Sequence, residues 1–264
     1  SDLRVLSYSV GNVNFPYTVE YSYTTQSKGL IYIDLWLPVE GYNVSLEEAI
    51  IELITPKSLD IIFRAQNYEF EHQRIEQFEA INKEPYAPSL LSIFPYLSIA
   101  PLNYQYNEHS ETVSDWNSYG VWVNKLLAGK GELSPGTQSF VRALTDTLPD
   151  VRSKVKAVYQ YMQARTRYVA ISEGIGGYQP MPASDVDKYA YGDCKALSNY
   201  TKALLASIDI PSYYTEIGAD SRRILFSDFA SADQTNHAIL TVPLDGDTIW
   251  LECANPYNPF GYVG

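Results

Sequence analysis

Along the first 113 residues, apolar and polar positions alternate in short bursts. Residues 5–10, 17–24, 29–37, 50–53 and 59–64 carry the period of two expected of strands with one covered face. Pro16, Pro38 and Pro56 punctuate them, as do turns at Ser27-Lys28-Gly29 and Glu40-Gly41-Tyr42-Asn43. Residues 76–108 are less regular and proline-rich, and read as further strands and long loops. Many short strands with regular breaks predict an antiparallel β-sandwich over residues 1–113.

The period changes near Ser114. Trp116, Tyr119, Trp122, Val123 and Leu126 recur at helical spacing, and Gly129 ends the run. Ser134-Pro135 then supplies an N-cap followed by proline at the first helical position, with Phe140, Val141, Leu144 and Leu148 as the apolar face. A third helix starts near Pro149 and turns Val151, Val155, Val158, Tyr159 and Met162 to one side. Residues 114–148 are thus predicted to be linking helices, and residues 149–264 a second, α+β domain. Residues 167–171 read as a short strand. The glycine-rich stretch 174–180 has neither GxGxxG nor GxxxxGK spacing, so it reads as a flexible loop rather than a phosphate cradle. No internal repeat or low-complexity tract interrupts the chain.

The chemistry gathers at two places. After Tyr191-Gly192-Asp193, the residues Leu197, Tyr200, Leu204 and Ile208, flanked by Thr201 and Leu205, predict an amphipathic helix that Pro211 stops. Asp193 is a fitting N-cap, which puts Cys194 at the first helical position, where the positive end of the helix dipole favours a thiolate. Residues 213–217 read as a strand and 220–233 as a polar loop. Residues 236–243 and 248–253 then read as strands around Asp245-Gly246, a strong two-residue hairpin turn. If Leu244 pairs with Asp247, Ile239 faces Glu252, and His237 and Glu252 become diagonal neighbours on one face. Their Cβ atoms would lie roughly 7 Å apart, within reach of a carboxylate–imidazole hydrogen bond. Ala238, Leu240, Ile249, Leu251 and Cys253 fall on the other face, which should be core. Cysteine, histidine and an acid in this arrangement suit nucleophilic acyl transfer: thiolate attack, proton transfer by imidazole, and a carboxylate that fixes the tautomer.

Composition bounds the partners. The chain has 264 residues, 45% hydrophobic and 19% charged, which suits a globular protein with room for two domains. Its net charge of −12 makes nucleic acid an unfavourable partner. The longest apolar region, 90–102, is broken by Pro95 and Pro101, so no membrane span is expected. No signal peptide is read at Ser1, which leaves a mature protein and a fragment equally open. Two cysteines are too few for a disulfide framework. The 23 tyrosines could form a sugar-binding platform, but strand packing accounts for them more simply.

The segment from about Val151 to Gly264 resembles the transglutaminase-like superfamily, which has a papain-like core. Gly192-Asp193-Cys194, Asn236-His237-Ala238 and Trp250-Leu251-Glu252 are similar to its three active-site motifs, in the order Cys, His, acid. The likeness extends to a bacterial subgroup that carries a β-rich DUF3857 domain before this core. It is carried by Tyr168-Val169, Gly174-Ile175-Gly176-Gly177-Tyr178-Gln179-Pro180, Tyr191-Gly192-Asp193-Cys194-Lys195 and Asn236-His237. Two positions depart from the subgroup pattern. Ala196 stands where Asp often follows Cys-Lys, and Glu252-Cys253 stands where Asp-Pro is usual, with an extra methylene in the acid's reach.

The resemblance implies a cysteine peptidase, amidase or acyltransferase that forms a thioester on Cys194, with His237 and Glu252 completing the triad. It implies a peptide or protein substrate, no metal, no cofactor, export to the periplasm or cell envelope, and a core whose C-terminal end is truncated here. The Cys194 backbone amide is the natural first oxyanion donor, and Gln179 a second candidate. Hydrolysis is favoured over amine transfer, because Arg222 and Arg223 in the polar loop suit a carboxylate-bearing substrate. Plainer readings stand beside these: Cys194 as a small buried hydrophobe, His237 as a satisfied core histidine, Glu252 as a surface carboxylate. In that case the chain is an inactive transglutaminase-like binding or scaffold protein of the envelope. Cys253 reads as packing, and His72 and His109 have no metal-ligand partner at useful spacing.

Overall fold

The computed structural model describes residues 7, 11, 14–26, 29–69, 74–106, 109–219 and 225–263. Most of the predicted strand 5–10, residues Ser27 and Lys28 of the first turn, His72, Arg222 and Arg223 lie outside the described residues.

The architecture is mixed α+β with small antiparallel sheets. In the first part of the chain, β1 (Leu46–Ile50) pairs with β3 (Arg74–Phe78), and β2 (Ile61–Gln66) pairs with β4 (Tyr96–Pro101). A single helical turn, α1 (Leu90–Ile93), precedes β4, and β5 (Asn103–Tyr106) pairs with β6 (His109–Thr112). These are separate two-stranded pairs, so the predicted β-sandwich does not form among the described residues. Residues 17–24 form no strand and are exposed throughout. Residues 29–37 contribute only isolated bridges, Leu30 to Gln105 and Trp36 to Leu97, and the strand expected at 50–53 is instead β1, ending at Ile50. Alternation reports which side of a segment prefers cover; it does not say what provides the cover. Here Ile31, Tyr104 and Val113 are covered by a helix rather than by a second sheet.

That helix is α2 (Trp116–Leu127), whose Tyr119, Trp122 and Leu126 pack on them. Its start is fixed by a capping box between Asp115 and Ser118. The next helix, α3 (Pro135–Thr145), has Ser134 as N-cap and proline in its first turn, and Asp150 caps α4 (Val151–Arg165) through the Ser153 amide. A short parallel bridge joins β7 (Arg167–Tyr168) to β8 (Tyr191–Gly192). Between them lie a 3₁₀ turn over Gly174–Gly177 and a seven-residue helix, α5 (Ala183–Tyr189), absent from the sequence expectations. That helix ends at Ala190 in the left-handed region, φ 58°, a conformation more usual for glycine.

Helix α6 (Cys194–Ala206) is the centre of the larger core. Its Leu197, Tyr200, Leu204 and Leu205 are buried with Val155, Val158 and Tyr159 of α4. The other wall is a three-stranded antiparallel sheet ordered β11–β10–β9, formed by β9 (Tyr213–Ile217), β10 (His237–Leu244) and β11 (Asp247–Leu251). Leu240, Val242, Ile249, Leu251 and Cys253 complete the core from that sheet. The β10–β11 hairpin has the register read from sequence, with Leu244 opposite Asp247 and Leu240 opposite Leu251. Asp187 ties the helices around α6, accepting from Tyr200 Oη at 2.8 Å and Thr137 Oγ1 at 2.6 Å while Arg165 Nε lies 3.2 Å away.

Gly192 sits where the chain enters α6 with no room for a side chain. A Cβ there would lie 2.8 Å from the Cβ of buried Ala196. Gly192→Ala should therefore overpack this junction and lower stability by about 1–3 kcal/mol. The check is urea unfolding: the midpoint should fall with the slope unchanged, and an unmoved midpoint would show that the turn has slack.

Candidate active site

Cys194 is the first residue of α6, and Asp193 caps it by accepting the Ala196 amide at 2.9 Å. Asp193 is buried and also pairs with Lys195, whose ammonium reaches the Ile171 carbonyl at 3.4 Å. The helix start is thus held from both sides. One turn on, Ser198 donates to the carbonyl of Ala238 at 3.2 Å, fastening α6 to β10 at the residue beside His237.

His237 opens β10. Its backbone lies opposite Ile217 of β9, and its Nε2 lies 2.7 Å from Glu252 Oε2. Glu252 follows directly after β11 and is buried. Its second oxygen, Oε1, accepts the Ala254 amide at 2.7 Å. Its carbonyl accepts from Tyr159 Oη of α4 at 2.8 Å, so the core itself orients the acid. With Nε2 engaged by Glu252, Nδ1 is the ring nitrogen left for other partners.

The electrostatics follow from these partners. Hydrogen bonding to Cys194, then to Glu252, raises His237 from 6.5 to about 10, against the opposing effect of burial. Burial works to raise Glu252, but the hydrogen bonds from His237 and from the Ala254 and Asn255 amides outweigh it and hold the carboxyl below its ordinary value. Cys253 is different in kind: burial pushes its thiol up to about 12, and it packs in the core. Both cysteines are free.

Cavities flank His237. One, of about 110 Å³, is lined by Cys194, His237, Tyr178 and Glu216 among others. Another, of about 440 Å³, lies by Glu252, Tyr168 and Asn255. A cleft of about 610 Å³ bordered by Tyr32, Asp34 and Tyr96 of the first part of the chain shares Gly177, Tyr178, Ala232 and Thr235 with the first cavity. Gln179 follows Gly177 and Tyr178 but is not among the residues lining the cavity beside Cys194. The loop before His237 is anchored to the first part of the chain and to α2. The Ala232 amide donates to Tyr104 Oη at 3.0 Å, Trp116 Nε1 to the Phe226 carbonyl at 2.8 Å, and Arg64 to Asp228 at 2.6 Å. Tyr214, Glu216 and Thr235 were not singled out by sequence, and Tyr119 and Tyr178 entered only as a helix-face residue and as part of the glycine-rich motif. The register of residues 213–217, which sequence does not supply, places Glu216 opposite Ala238 and so on the covered face. His109 sits edge-on to Trp122, 6.3 Å between centroids. Among the described residues no group of three or more His, Cys, Asp or Glu is placed to hold a metal, and no helix is long and apolar enough to cross a membrane.

No protein-family model matches the chain, and no curated protein matches it significantly. Solved structures similar to it include a "putative protease" from Parabacteroides distasonis, 15% identical, covering 86% of this chain with a TM-score of 0.61. This chain spans 43% of that protein's length, and at this identity the likeness is one of fold. A "putative cysteine protease" from Cytophaga hutchinsonii is also 15% identical over 84% of this chain and 70% of its own, with a TM-score of 0.36, too low to speak to the fold.

The histidine is the accessible test of this geometry. A group raised on folding adds stability that is complete below its unfolded value of 6.5 and is lost as pH rises through about 10. The His237 ring should stay protonated through neutral pH in ¹⁵N NMR titrations, and Glu252→Gln should bring its midpoint down. A wild-type midpoint near 6.5 would mean that neither partner holds the ring.

Proposed function

We propose that the chain is a cysteine-dependent amide hydrolase, a peptidase of transglutaminase-like type acting on peptide or peptide-like substrates. The observation that carries this reading is the 2.7 Å bond from His237 to Glu252, next to a cysteine at a capped helix start. In this reading residues 149–264 form the catalytic unit, residues 114–148 link it, and residues 1–113 form the DUF3857-like domain of an envelope protein.

The steps balance as follows. The Cys194 sulfur attacks the substrate carbonyl carbon, and negative charge gathers on the oxygen near the Cys194 amide, with Gln179 as a second donor candidate. The C–N bond breaks, and the imidazolium of His237 gives its proton to the departing amine. Water then attacks the thioester and yields its proton to His237, and the sulfur leaves as the acid is released. Glu252 holds the ring and balances its charge throughout.

The experiment is a screen of amide substrates against the intact chain, with the products resolved in the presence of excess primary amine. Free acid should dominate, Cys194→Ala should abolish turnover, and Glu252→Gln should reduce it by about 10²–10⁴-fold. A dominant amine adduct would make the protein a transferase. Full turnover by Cys194→Ala would remove the thioester, and an inert wild type would leave a scaffold.

A further inference from the structure

The cavity beside Cys194 has a composition that the reaction steps do not use. Its lining includes Tyr119 and Trp122 from α2, Tyr178, Tyr214 and Glu216 from β9, and Thr235. Glu216 is a buried carboxyl in an aromatic enclosure. Tyr119 Oη and Thr235 Oγ1 both donate to its Oε2. Lys195 acts on it only at a distance, being paired itself with Asp193. Burial pushes the Glu216 carboxyl up, against those two hydroxyls and the lysine charge. A second observation is independent of the first. Tyr214 Oη is buried with no hydrogen-bond partner, in the same cavity. Buried hydroxyls are normally satisfied, so an orphan at a cavity wall marks a place for a ligand's donor.

A carboxyl without a cation in contact, an unpartnered hydroxyl and aromatic walls together fit one kind of group. The carboxylate supplies charge, the hydroxyl an acceptor, and the rings a negative face for a cation. At about 110 Å³ the space has room for about four water-sized groups, which suits an ammonium with a carbon or two. Because Cys194 and His237 line the same space, a group lodged there belongs to the molecule whose amide is being attacked.

From this we propose that Glu216 and Tyr214 form a specificity pocket for a primary ammonium carried by the substrate close to the scissile amide. The proposal rests on the hydrolase reading and adds its substrate class: amides bearing a free amino group, such as an unblocked chain terminus. The pocket is not an acceptor site for amine transfer, since an amine held as ammonium has no lone pair with which to attack a thioester. The same charge preference extends outward, because the larger cleft that shares Tyr178 and Thr235 with this cavity is bordered by Asp34 and Asp233.

The test compares alkylation of Cys194 by cationic 2-bromoethylamine and by neutral iodoacetamide, read by peptide mass mapping. Each rate is scaled to that of glutathione under the same conditions. The readout is the cationic-to-neutral ratio, so general changes in thiol reactivity cancel. Glu216→Gln should lower that ratio about tenfold, and Tyr214→Phe about threefold, in line with loss of a charged and a neutral hydrogen bond. A ratio that stays within about twofold of wild type in both variants would overturn the pocket. If Glu216→Gln does not fold, Tyr214→Phe decides alone, since it removes a hydroxyl that has no partner to lose. The two readings fail separately. A Cys194 no faster than glutathione towards iodoacetamide sinks the hydrolase but leaves a charge-selective pocket standing, whereas a fast thiol without charge preference does the reverse.

Discussion

Packing α6 against β10 decides where Cys194 and His237 meet. Cys194 cannot shift along the sheet without dragging Leu197, Tyr200 and Leu204 out of a core that they share with Leu240 and Leu251. A displacement large enough to separate the sulfur from the ring would expose several side chains, each worth about 1.5–3 kcal/mol when fully buried. The Ser198 to Ala238 bond adds direction to that constraint, because it joins the second turn of the helix to the residue after His237. The acid is fixed from the opposite side by Tyr159, a fully buried residue of α4. The three groups therefore come from elements whose relative positions are set by one core, which is how a site holds its geometry.

This geometry was unusually legible in the chain. An Asp-Gly turn between two apolar runs permits few registers, and a slip of one residue would have turned Leu240 and Leu251 to solvent. Asp193 before Cys194 and Ser134 before Pro135 announced helix starts through the same capping chemistry seen in space. What was hidden had physical reasons. The seven residues of α5 present too few turns to show a period, and Ala190 ends it where glycine would have been the signal. Glu216 was passed over because a strand read without its register does not say which face is covered; pairing with Ala238 settles that.

The first part of the chain was read less well. Tyrosine and valine alternate through residues 17–24, yet all of them are exposed and unpaired in a sheet, while β4 is buried at every position with hardly any alternation. Propensity describes a pleated, half-covered surface, and tertiary packing supplied or withheld the cover independently of it. Here the cover came from Trp122 and its neighbours on α2, which lie on Tyr104 and Val113. The same helix reaches the cavity beside Cys194 through Tyr119, so α2 both covers the first part of the chain and walls that cavity.

The central claim is that Cys194, His237 and Glu252 act as one unit. Its most direct test is a double-mutant cycle on the rate of iodoacetamide alkylation at Cys194 near neutral pH, with wild type, His237→Ala, Glu252→Gln and the double variant. Residues that work through one another are strongly non-additive. The account predicts a wild-type rate well above that of glutathione, a large loss in His237→Ala, a smaller loss in Glu252→Gln, and a double variant no slower than His237→Ala. Losses that simply multiply would contradict it, because the acid would then act on the sulfur without passing through the histidine.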